Sequence, residues 1–295
     1  MKNYLRYIFS HAKRINKPLI LDGAIGSLLQ QRGFASDDSS WTSLANIKNP
    51  EEIILIHKEY ILAGADIITT NTFRTNPVAL KDSEHSSDEL VRGGINMAKK
   101  AIDGSDILIA GSNAPAEDCY QAERKINSDE LKKNHEEHIS LLHFYGCDFI
   151  LNETQSHLDE IEIICNYCSD NQFSFILSLF FTDEEKLLSG ESLFDMVKFV
   201  SQFNPLAIGF NCIIPDLFLK VVHKIPNDIN WGFYLNCGTG DYKDKNISCG
   251  VDEYEYLEIV KQILPFKPAF VGSCCGSNPH HTLQLSNYIT SRDIK

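Results

Sequence analysis

Residues 206–238 read LAIGFNCIIPDLFLKVVHKIPNDINWGFYLNCG. Two apolar runs, Leu206–Asn211 and Trp231–Asn236, enclose a segment, Leu217–Ile225, with helical patterning. Neither run alternates apolar with polar residues, so each suits a parallel strand buried on both faces. The same unit recurs outward from this stretch. Upstream stand Leu19–Asp22, Asp66–Thr70, Ile107–Gly111, Cys147–Asn152 and Ser174–Leu179, and downstream stands Ala269–Gly272. Helical spacing fills the gaps. It is clearest after Pro50 (Ile53, Ile54, His57, Tyr60, Ile61), within Ser128–Gly146 (Leu131, His135, His138, Leu142, Tyr145) and over Asp252–Leu264. Eight strand–helix units in 295 residues predict an α/β fold, a single (β/α)8 TIM barrel, which typically takes ~250 residues. A doubly wound open sheet also alternates strand with helix, but six strands would suffice for it. No Gly/Ser linker, low-complexity tract or repeat beyond the alternation itself divides the chain, so one domain over residues 1–295 is expected.

Composition narrows the partners. The 43% hydrophobic and 23% charged content is that of a globular chain. Forty acidic residues against 27 basic ones give a formal charge of −13, which repels a polyanion, so no nucleic acid is expected. Met1–Lys17 is basic and interrupted by His11, Lys13 and Arg14, unlike a signal peptide. The longest apolar stretch, Phe173–Phe181, is too short to span a membrane and reads as a buried strand. A cytoplasmic location is therefore expected, with the nine cysteines reduced; an odd count also disfavours a disulfide framework.

Barrel active sites form at the carboxyl ends of the strands. There the chain places Asp22-Gly23, Thr70-Asn71-Thr72-Phe73, Ser112-Asn113, Asn152-Glu153-Thr154, Asn211-Cys212, Asn236-Cys237-Gly238 and Ser273-Cys274-Cys275-Gly276. Cys212, Cys274 and Cys275 have the look of a catalytic zinc site, three protein ligands with a fourth position open. The pattern alone leaves packed thiols as an equal reading. Cys165-x-x-Cys168 lies in a helix and reads as core. His135 and His138 read as packing residues of an outer helix. His280-His281, after Pro279, reads as a solvent-exposed helix start, and Cys237 as a small residue in a turn. Gly238-Thr239-Gly240 is too short for a phosphate loop.

The ordered motifs resemble the homocysteine S-methyltransferases, the group that includes betaine- and S-methylmethionine-dependent enzymes and the homocysteine-binding barrel of methionine synthase. The matching pieces begin with Leu21-Asp22-Gly23-Ala24-Ile25-Gly26, Trp41 ahead of Asn49-Pro50-Glu51, and Ala63-Gly64-Ala65-Asp66 leading to Thr70-Asn71-Thr72-Phe73. Glu153-Thr154, Gly209-Phe210-Asn211-Cys212, Asn236-Cys237-Gly238 and Gly272-Ser273-Cys274-Cys275-Gly276 complete the set, which spans residues 19 to 281. The resemblance implies zinc on Cys212, Cys274 and Cys275, with the amino group of homocysteine on Asp22 and Glu153. It implies the substrate carboxylate at backbone amides near Gly23, and Asn236 at the fourth metal position when substrate is absent. Asn71 and Asn211 are expected to be structural. Two departures stand out: Ser273 replaces a usual glycine, and Leu235, Cys237 and Thr239 replace proline, a small residue and glutamate.

The expected reaction is attack of a zinc-activated homocysteine thiolate on a cationic methyl donor, giving methionine. Trp41, with Phe73 and Tyr242, is a candidate to hold the donor through its ring face, loop packing being the plainer reading. The chain has no room for added folate- or cobalamin-binding domains. A small donor is therefore expected, S-methylmethionine ahead of betaine because the chain ends soon after the eighth strand. The alternatives are a separate protein that supplies the methyl group, or a non-catalytic zinc- or thiol-sensing barrel.

Overall fold

The computed structural model describes residues 2–37, 39–239 and 247–291. Eight strands form one parallel sheet: β1 (Leu19–Ile20), β2 (Ile67–Thr69), β3 (Leu108–Asn113), β4 (Phe149–Gln155), β5 (Phe175–Leu179), β6 (Ala207–Asn211), β7 (Trp231–Leu235) and β8 (Phe270–Ser273). Each pairs with its sequence neighbour, and β8 returns to β1, with Leu19 opposite Phe270. The last seam, between β1 and β2, is closed by the bridge of Leu21 with Ile67. There Asp22 donates its backbone N–H to Ile67 O at 2.9 Å, and Asp66 donates to Ile20 O at 2.8 Å. The ring is a (β/α)8 barrel, and every apolar run of the sequence lies in its wall.

The helices stand where periodicity and end signals put them. Pro50 opens α4 (Pro50–Leu62), where its missing N–H costs nothing. Asn127 caps α6 (Ser128–Tyr145) by accepting from Glu130 N, and Asp252 caps α10 (Glu253–Ile263) by accepting from Tyr254 N and Glu255 N. Leu131, His135, His138 and Leu142 are all buried along α6. Two short helices, α2 (Ile25–Gln31) and α3 (Ala45–Lys48), precede α4, and around the outside α5 (Ser87–Ile102), α7 (Leu158–Asp170), α8 (Leu193–Ser201), α9 (Pro215–Val221) and α11 (Pro279–Ser291) complete the shell. Cys165 and Cys168 are packed inside it.

The basic N-terminal stretch is a helix, α1 (Lys2–Ile15), which the strand–helix alternation does not announce. Its Leu5, Phe9 and Ala12 share one buried face. Phe9 meets Phe149 and Phe270 edge-on, with ring centroids 5.8 and 6.1 Å away. Both partners stand at the first residues of β4 and β8, so α1 plugs the end of the barrel opposite the rim. No helix among the described residues is long and apolar enough to cross a membrane.

Candidate active site

A cavity of about 680 Å³ opens at the carboxyl ends of the strands, within the range of about 300–1,000 Å³ common for small-molecule sites. Its floor carries Cys212, Cys274 and Cys275. The Cys212 sulfur lies 2.7 Å from that of Cys274 and 3.5 Å from that of Cys275, and the last two are 4.0 Å apart. Tetrahedral thiolates at ~2.3 Å from one ion stand about 3.7 Å from one another, so two of these separations bracket that spacing and the third is shorter. Among the described residues this is the one group of three or more His, Cys, Asp or Glu side chains placed to share an ion. Hydrogen bonds from Cys274, Cys275 and Tyr120 hold the Cys212 thiol well below its usual pKa.

The backbone explains the convergence. Cys212 follows β6 with φ of 56°, a left-handed turn that leaves the strand line. Cys274 N donates to Leu235 O at 2.8 Å, and Cys275 O accepts from Cys237 N at 2.8 Å. Gly276 then turns with φ of 85°. A Cβ there would stand 2.5 Å from the backbone of Gly238, so the chain can return beside β7 only as glycine. Cys237 is itself fully buried, a small residue in a tight turn as expected.

Two carboxylates face the same cavity. Asp22, 2% exposed, accepts from Thr69 N at 2.8 Å and Thr69 Oγ1 at 2.6 Å, and burial raises its pKa well above the usual range. Glu153 accepts from Ser112 Oγ at 2.5 Å and lies against the Tyr234 hydroxyl; burial pushes its carboxyl up to about 7. Repulsion between the two adds to the rise at Asp22. Buried carboxylates without a cation are costly, and an ammonium group placed between them would lower that cost. Glu153 reaches the cavity because the register of β4 against β5 shifts between Asn152 and Gln155. Asn211 secures that irregularity, accepting from Thr154 N and donating to Thr154 Oγ1, both at 2.8 Å. Gly23 lines the cavity, and its amide has no partner among the described residues.

Trp41 and Phe73 form an aromatic wall, their ring centroids 6.2 Å apart at 71°. The indole lies on Gly26, where a Cβ would stand 2.3 Å from the ring. Asn71 helps to fix this loop by donating to Thr42 O and Asn46 Oδ1. Tyr242, the third residue expected here, lies outside the described residues.

The expected set does not assemble completely. Asn236 turns its amide oxygen to Gly238 N, 2.7 Å away, and is not among the residues lining the cavity. It constrains the turn after β7. His281 is not solvent-exposed: it is fully buried, with Nε2 2.9 Å from Val251 O, because the α11 start tucks under the loop before α10. His280 alone faces solvent.

Several lining residues escape sequence reasoning. Arg74, Asp118, Cys119 and Tyr120 come from loops without period, and Tyr234 lies inside an apolar run. The loop after β3 has a buried anchor. Glu160 of α7 contacts His135 Nε2 at 2.6 Å, accepts from Ala116 N at 2.7 Å and pairs with Arg124 at 3.3 Å. Burial alone would raise this carboxyl, but the contact with His135 and the charges of His135 and Arg124 outweigh it and hold it at about 2. His138 bonds Asn113 and Thr75, both at 2.8 Å. These histidines pack, as expected, and they also fix the loop that carries Tyr120 to the sulfurs.

With this geometry in place, the similarities to known proteins become specific. The homocysteine S-methyltransferase family matches residues 19–289. The homocysteine S-methyltransferase of Escherichia coli is 28% identical, covering 88% of this chain and 92% of its own length. The betaine-homocysteine S-methyltransferase of Drosophila melanogaster is 26% identical, covering 88% of this chain and 89% of its own. In fold the chain is similar to the metallated homocysteine methyltransferase MmuM of Escherichia coli, with a TM-score of 0.79 at 23% identity, over 92% of this chain and 96% of that one. A match this long, on a barrel whose strand ends gather three cysteines and two buried acids, places the chain in the homocysteine S-methyltransferase family.

Proposed function

We propose that the chain transfers a methyl group from a small onium donor to the sulfur of homocysteine, giving methionine, with zinc on Cys212, Cys274 and Cys275. The convergence of the three sulfurs at the cavity floor carries this reading. Three thiolates with one open side fit a borderline-soft ion in a catalytic setting. Bound there, zinc would keep the substrate thiol deprotonated at neutral pH, where a free thiol of pKa ~8.5 is mostly protonated.

The chain's own residues set the geometry. Asp22 and Glu153 take the ammonium of homocysteine, and the Gly23 amide takes its carboxylate, which directs the side chain to the sulfurs. Trp41 and Phe73 present ring faces to the cationic donor. The homocysteine sulfur forms a new bond to the methyl carbon. The bond from methyl to the onium atom breaks, its electron pair stays on that atom, and the thiol proton has already passed to solvent. Charge is discharged on both partners, so a buried cavity that strips their hydration favours the step. Asp118, on the exposed rim, offers a carboxylate to the amino group that S-methylmethionine has and betaine lacks.

The test is methionine formation by metal-loaded protein from homocysteine with S-methylmethionine, betaine or a methyl-corrinoid protein. Methionine is expected from the small donors, fastest from S-methylmethionine, and Cys274→Ser should lose most of the bound zinc. Methionine from the corrinoid protein alone would move the donor to a partner. None from any donor would overturn the reading and leave the zinc- or thiol-sensing barrel.

A further inference from the structure

The cavity wall is strongly acidic. Asp22, Asp37, Asp118 and Glu153 line it, and among the described lining residues Arg74 is the single Lys, Arg or His. Arg74 directly follows Phe73 in the loop after β2. Its Nε donates to Ser39 O at 3.1 Å, in the loop after β1, and its Nη1 donates to Glu117 O at 2.6 Å, in the loop after β3. The guanidinium is thus fixed by backbone carbonyls of two neighbouring loops. No carboxylate pairs with it among the described residues, and Nη2 has no partner there.

A half-buried arginine tied down by neutral carbonyls keeps its charge without an ion-pair partner among the described residues and its remaining donors in a set direction. Such a group is a receptor for a carboxylate, the anion whose geometry its donors match. Homocysteine has other partners for its own charges: Asp22, Glu153 and the Gly23 amide. Arg74 lines the same cavity directly after Phe73 of the aromatic wall, and its Nη1 is held at Glu117 O, one residue before the exposed Asp118. It also remains in electrostatic reach of Cys119, which in turn feels Cys212. A molecule with a cationic head on the aromatic wall and an anionic tail on Arg74 would place its methyl group toward the sulfurs.

We propose that Arg74 receives the carboxylate of the methyl donor, so that the donor is an onium compound carrying a free carboxylate. This rests on the methyl-transfer reading and deepens it. Arg74 then acts as a specificity-determining residue: it selects zwitterionic onium amino acids and betaines over onium compounds that lack an anionic end.

The experiment uses the metal-loaded full chain and two probes, S-methylmethionine and its carboxyl methyl ester, in which the anionic charge is gone. Calorimetric binding and steady-state KM are measured for wild type, Arg74→Met and Arg74→Lys. Wild type is expected to prefer the free acid by about 10–100-fold, the range a charge-assisted hydrogen-bonded pair supplies. In Arg74→Met this preference should collapse toward one, while bound zinc and the affinity for homocysteine stay at wild-type values. Arg74→Lys should recover part of the preference. An unchanged preference in Arg74→Met overturns the assignment, as does a loss of homocysteine affinity equal to that of the donor. Arg74-dependent binding of the free acid without methionine formation would strike the transfer reading and leave the carboxylate receptor standing.

Discussion

Glu153 shows how a residue can be tuned by what it lacks. Buried, bonded to Ser112 and short of a cation, its carboxyl sits near 7 in the substrate-free protein. The ammonium of homocysteine favours the charged form, so binding pulls that pKa down and takes up no proton above 7. As pH falls below about 7 the empty site is protonated, and binding must expel that proton. Loss of the substrate's thiol proton already weakens affinity about tenfold for each pH unit below ~8.5, and Glu153 is expected to add a further tenfold for each unit below about 7; Glu153→Gln should lose only this added steepness, along with about 2 kcal/mol of binding. Titration calorimetry from pH 5.5 to 8 checks both. Glu153, Asp22 and the three cysteines are legible in the sequence because each stands where an apolar run stops. Arg74 and Tyr120 are not: they sit in loops, where no period tells which side chains turn inward. Asn236 stands at a strand end as the sequence suggests, but outside the cavity lining, with its amide oxygen accepting from Gly238 N.

Among the elements, β4 and β6 depend on each other. The irregularity that turns Glu153 inward leaves Thr154 with φ of 56°, and Asn211 of β6 holds it with two hydrogen bonds. Asn211 directly precedes Cys212, itself in a left-handed turn. Asn211→Ala is expected to cost about 2 kcal/mol, because Thr154 N and Oγ1 are left buried and unpaired. It should also lower zinc occupancy by loosening Cys212; thermal unfolding and metal analysis separate the two effects. The eight strands are legible because parallel strands buried on both faces write continuous apolar runs. A bulge adds one residue to such a run without changing its hydrophobicity, so neither it nor its latch can be read before the register is known. The turn chemistry is more open, since Pro50, Asn127 and Asp252 each announce a helix start.

At the scale of the whole molecule, the barrel is bounded by a wet rim and a dry base. The base is closed by α1, whose Phe9 meets Phe149 and Phe270. Deleting residues 2–15 would expose the faces that Leu5 and Phe9 cover, at about 1.5–3 kcal/mol for each side chain. The melting temperature is expected to fall by several degrees while the folded fraction keeps its zinc, because the sulfurs lie at the other end. Calorimetry with metal analysis checks this. The alternation of strand and helix predicts the ring but not the plug, since a single amphipathic helix ahead of the first strand has no place in that rhythm. Closure itself hangs on a slender join: β1 is two residues long, and its link to β2 is one bridge reinforced by the Asp22 carboxylate on Thr69 and the Asp66 carboxylate on Ile20 N. On the proposed binding mode the same Asp22 carboxylate also takes the substrate's ammonium group. The stave with the shortest pairing would then be the one the ligand grips, and filling the cavity is expected to tighten the hoop that keeps it round.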